Sequence, residues 1–123
     1  MIAMHKVLSW VILFLVLITY QNESLEGTWI AESDSKSKWV FTNDGKCKRY
    51  YDNELLNTYV YSLSNKSPQC DKTVPINSKT QYLKLVKVGK VDSEYCYEVN
   101  GITSEKLSLR QMGRGGLLLF DKQ

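Results

Sequence analysis

The chain has 123 residues, with 16 Lys and Arg against 13 Asp and Glu and a net charge of +3. That length holds one domain around one compact core, and the near-balance of charge gives no long-range attraction to nucleic acid or anionic lipid. The only histidine is His5, so everything after it lacks the base needed for Ser-His-Asp or Cys-His catalysis and the imidazole of most zinc sites.

Met1 to Lys6 carries the α-amino group, His5 and Lys6, and Val7 to Tyr20 then runs almost without a polar group. As a helix that run rises about 21 Å, short of the ~30 Å hydrocarbon layer, which suits the apolar region of a signal peptide better than a full span. Residues 1–22 are read as a signal peptide or an uncleaved anchor, because Ile18 and Tyr20 replace the small residues of a cleavage site and no cysteine follows as a lipid acceptor. Export is expected in either case, to the periplasm, the cell envelope or the medium. Membrane contact is expected only through residues 7–20, if uncleaved.

From Leu25 onward the apolar residues alternate and do not recur at helical spacing. Leu25 to Glu32 is the first strand. Lys38 to Thr42 places Trp39 and Phe41 on one face, and Asn43-Asp44-Gly45 supplies residues suited to a tight hairpin. Lys46 to Asp52 returns, and its run of Lys46, Lys48 and Arg49 is read as an edge strand protected by charge.

Thr58 to Leu63 sets Tyr59, Tyr61 and Leu63 on one face, and the unpatterned stretch from Ser64 to Lys79, with both prolines, is a long connection. Gln81 to Val88 aligns Leu83 with Leu85, and Glu94 to Val99 aligns Tyr95 with Tyr97. A break at Asn100-Gly101 or Thr103-Ser104 leads to Lys106–Arg110, and the glycine-rich turn from Gly113 to Gly116 leads to Leu117–Phe120. Eight short strands at this spacing predict an all-β sandwich or barrel over residues 25–123.

The G-x-W of Gly27-Thr-Trp29 resembles the lipocalin signature. With Trp39-Val-Phe41-Thr-Asn-Asp44-Gly45, Tyr95-Cys-Tyr-Glu-Val-Asn-Gly-Ile102-Thr and Leu118-Leu-Phe120-Asp-Lys122, the chain resembles the small lipocalin-like domains of exported bacterial proteins over about residues 25 to 122. The resemblance implies an antiparallel up-and-down eight-stranded barrel. It also implies that Trp29 closes one end under a late basic side chain, Arg110 or Lys122. The chain is much shorter than a typical lipocalin and has no obvious flanking C-terminal helix.

Three cysteines in an exported chain invite one disulfide and one free thiol. Cys70 lies in the irregular connection and Cys96 faces opposite to Tyr95 and Tyr97, so a bridge between them pins the loop to the outer wall and leaves Cys47 free. The spacing of the three is not that of a zinc site, and no cofactor is expected. Trp39, Phe41, Tyr59, Tyr61, Leu83, Leu85, Tyr95 and Tyr97 are the inward residues that would line a small apolar ligand site, or else fill the barrel. Two functions follow: a non-enzymatic binder of a small hydrophobic molecule, or a cell-envelope module that binds a protein partner with its outer face or open end. A nucleic-acid partner is not expected.

Overall fold

In the computed structural model, residues 24–77, 79–113 and 115–123 are described. The expected signal or anchor over residues 1–22 lies outside them. Eight strands run in chain order: β1 Gly27–Ala31, β2 Ser37–Phe41, β3 Lys46–Tyr51, β4 Glu54–Ser64, β5 Gln81–Lys87, β6 Glu94–Ile102, β7 Lys106–Gln111 and β8 Leu117–Lys122. Each pairs antiparallel with the next, and β8 returns to β1 through Trp29↔Lys122, Ile30↔Asp121 and Ala31↔Phe120, closing the barrel.

The alternation in each strand selects the buried set. Trp29, Trp39, Phe41, Cys47, Tyr59, Leu83, Leu85, Tyr97, Leu107, Leu109 and Phe120 form one interior cluster with Leu25, which caps it from before β1. Bulky side chains from eight strands meet there, as expected of a small barrel whose interior is filled by its own residues. The connections after β1, β3, β5 and β7 lie at one end, called the mouth here. The connections after β2, β4 and β6 lie with Leu25 and Gln123 at the base.

The base is built around Trp29, whose indole is fully buried and whose Nε1 donates to the Leu25 carbonyl at 2.8 Å. Lys122 Nζ stands 4.8 Å from the indole centroid and donates to the Glu26 carbonyl at 2.7 Å. The glycine of G-x-W acquires a physical reason here. Gly27 has φ of +124°, and an added Cβ would fall 2.5 Å from Lys122 Cε. The lysine tip could swing aside, but the backbone would remain in a region that side chains disfavour.

Two local expectations change, and one open alternative is decided. β3 is not an edge strand, because β2 and β4 flank it and a closed barrel has no edges. β4 starts at Glu54, earlier than expected, since Asp52 and Asn53 take φ of 50° and 67° and make a two-residue turn without glycine. β6 runs through Asn100-Gly101 to Ile102, because a register shift between Val99 and Gly101 absorbs one residue within the strand, and the chain turns only at Thr103 to Glu105.

The connection from Asn65 to Thr80 lies on the outer wall, fixed by the Cys70–Cys96 disulfide. Beneath it Tyr82 and Cys96 are buried although they face away from the barrel interior. Gln69 is buried with them, and its Nε2 donates to Ser64 Oγ at 2.9 Å and to the Lys66 carbonyl at 2.8 Å. The loop makes a second, smaller core on the outside of β5 and β6.

Candidate functional site

At the mouth, β3 sends a charged side chain inward. Cys47 and Arg49 share one face of β3; Cys47 is buried, and two residues toward the mouth the Arg49 guanidinium enters the aromatic interior. Its Cζ lies 4.0 Å from the Trp39 ring centroid, 4.7 Å from Tyr59 and 5.6 Å from Tyr95. These aromatic faces, from β2, β4 and β6, attract a cation through their quadrupoles.

Arg49 Nη2 also donates to Tyr97 Oη at 2.8 Å. Burial pushes the Tyr97 phenol above its ordinary pKa, while the Arg49 charge and hydrogen bond pull it down. Arg49 Nε is buried and has no hydrogen-bond partner. Among the described residues the ion pairs are Lys84–Glu94 and Lys106–Asp121, so no carboxylate neutralises Arg49. The β3–β4 register shifts between Arg49 and Tyr50, an irregularity of the kind that re-aims side chains beside binding sites.

A cavity of about 290 Å³ opens at the same end, lined by Ala31, Glu32, Ser33, Leu118 and Phe120 among others. Phe120 stands between the cavity and the aromatic cluster, its ring centroid 4.9 Å from that of Trp39. Leu55 and Leu56 after the Asp52–Asn53 turn, Val88 and Val91 around the β5–β6 turn, and Leu117 at the start of β8 are all exposed. The mouth end therefore presents apolar surface as well as a cation.

The eight residues expected to line a ligand site fall into three places. Trp39, Tyr59, Tyr95 and Tyr97 meet around Arg49, with Tyr95 the accessible member at 38% exposure. Phe41, Leu83 and Leu85 are buried in the packed interior. Tyr61 lies toward the base, edge-on to Phe41 at 5.0 Å, where burial raises its phenol pKa and the Glu26 carboxylate adds to the rise.

Arg110 does not close the barrel. It is exposed and donates to the Gly115 carbonyl, because β7 alternation turns Leu107 and Leu109 inward and Arg110 outward. Lys122, the other expected cation, holds that place over Trp29. Arg49 was missed as a site residue: standing two positions from Cys47 on the same strand, it takes the face of Cys47, but no pattern in the sequence says which face that is. The disulfide joins Cys70 and Cys96 as expected, and Cys47 is the free thiol. Among the described residues, no group of three or more His, Cys, Asp or Glu side chains comes together to hold a metal ion.

These features define the class of molecule: an eight-stranded antiparallel up-and-down barrel, consistent with a calycin-like fold, with a cation held among aromatic rings at its mouth. No family model matches the chain, no curated protein matches it, and no solved structure matches it. The assignment rests on the barrel itself.

Proposed function

We propose that the protein is an exported, non-enzymatic binding protein that receives a small apolar molecule at the mouth of its barrel. The observation that carries this reading is the convergence of Trp39, Tyr59, Tyr95 and Tyr97 at one end, beside a cavity of about 290 Å³. That volume lies near the lower limit of small-molecule sites, and aromatic walls with a few polar groups are their usual lining. Export is supported by the apolar run from Val7 to Tyr20 and by the Cys70–Cys96 disulfide, a bond that persists in oxidising compartments.

The experiment is a titration of the folded protein with the neutral dye N-phenyl-1-naphthylamine, followed by dye emission and by quenching of tryptophan. Saturable binding that Tyr95→Ala weakens by about tenfold, with the circular dichroism unchanged, is the expected result. Tyr95 suits the test because it is the exposed member of the cluster and carries little of the core. Absence of saturable binding across a panel of neutral apolar compounds would remove this reading. The alternative, a protein-binding module of the cell envelope, draws on the exposed Leu117 and Leu119 of β8, and it would then be preferred.

A further inference from the structure

We infer that the mouth selects molecules bearing an oxyanion on an apolar body, with Arg49 as the group that receives the oxyanion; this rests on the binding function proposed above. The argument begins with the donors of one side chain. A guanidinium has five N–H groups in a rigid fork. Here one Nη2–H goes to Tyr97, and Nε is buried with no partner. A buried donor left unpaired costs free energy, and inside proteins such donors are nearly always satisfied. Arg49 as a whole is half-buried, and where the inward-facing charge of an arginine serves the fold alone, a carboxylate usually meets it. Among the described residues none does: the ion pairs there are Lys84–Glu94 and Lys106–Asp121.

The surroundings hold the fork in position without neutralising it. The Trp39 ring centroid lies 4.0 Å from the guanidinium carbon, and those of Tyr59 and Tyr95 stand at 4.7 and 5.6 Å. Cation–π contact stabilises the charge but consumes none of the N–H donors in the plane. Tyr97 occupies one donor and so fixes rotation about the guanidinium axis. What remains is a pre-oriented, positively charged donor edge, the complement of a carboxylate, sulfonate or phosphate group. The exposed apolar side chains at this end and the cavity beside Phe120 offer a place for the rest of such a molecule.

The test compares two dyes that share one ring system. N-phenyl-1-naphthylamine is neutral, and 8-anilinonaphthalene-1-sulfonate adds an oxyanion. The full protein should bind the sulfonate at least about tenfold more tightly than the neutral dye, and Arg49→Gln should bring the ratio of the two affinities to about one. Arg49→Lys keeps the charge but loses the fork, and should retain only part of the preference. If Arg49→Gln fails to fold, the wild-type ratio and the Lys variant decide. Equal binding of both dyes, or a preference unaffected at Arg49, overturns the oxyanion assignment and leaves the binding function standing. Failure of both dyes to bind removes the binding function and this inference together. Displacement of the sulfonate dye by inorganic phosphate, beyond that by chloride at equal ionic strength, would assign the site to free anions and overturn the requirement for an apolar body.

Discussion

Cys47 shows how strongly the interior acts on a single group. It is fully buried, and burial pushes its thiol from 9.0 to about 12, against a smaller downward pull from Arg49. The thiolate is the reactive form. A maleimide or disulfide reagent at about pH 8 should therefore leave Cys47 unmodified in the native protein and label it quickly in denaturant. Equal labelling rates in the two states would mean that β3 is not packed as described. The same shift fixes a pH dependence. The unfolded chain releases this proton near 9.0 and the folded chain retains it to about 12, so stability is intact below pH 9.0 and falls as pH rises toward 12. Burial of Tyr97 acts in the same direction. Urea midpoints should be level near neutrality and decline through the alkaline range, and Cys47→Ala should flatten part of the decline.

At the scale of elements, the loop from Asn65 to Thr80 and the disulfide that holds it are separable from the barrel. The bridge spans a sequence separation of 26, and in the chain-entropy view closing such a loop is worth about 3 to 4 kcal/mol, mostly through the unfolded chain. Thermal melts with and without reductant should therefore show a large drop in midpoint while the β-sheet spectrum at low temperature persists. Loss of that spectrum on reduction alone would mean that the outer core over Tyr82 is required to form β5 and β6. This pairing was legible in the sequence because Tyr95 and Tyr97 fix the parity of β6 and so turn Cys96 outward. Arg49 shares a face with Cys47, but no sequence pattern assigned Cys47 a face, and a run of lysine and arginine resembles a solvated one. What compensates its charge comes from β2, β4 and β6, and Tyr97 is 48 residues away. Local pattern gives the direction of a side chain and not its distant partners. The Asp52–Asn53 turn was obscure for a simpler reason: Asn53 takes the positive φ often left to glycine.

For the whole molecule, Trp29 and the β1–β8 pairing decide whether there is a closed barrel at all. Trp29→Ala should cost about 3 to 5 kcal/mol, enough to unfold a domain of this size. Lys122→Ala should cost about 1 to 2 kcal/mol through loss of the stacked cation and its hydrogen bond, whereas Arg110→Ala should be nearly silent. Equal effects of the two cation variants in urea melts would contradict the base described above. Sequence alone could not choose between Arg110 and Lys122, since barrel register, which brings Lys122 opposite Trp29, is set jointly by all eight pairings. That closing seam also orders events in time. β1 cannot find its second neighbour until β8, the eighth strand of the barrel, has left the ribosome, and a contact between residues so far apart in sequence forms slowly. Until those two strands meet, the sheet is an open ribbon with unpaired backbone groups along both of its edges.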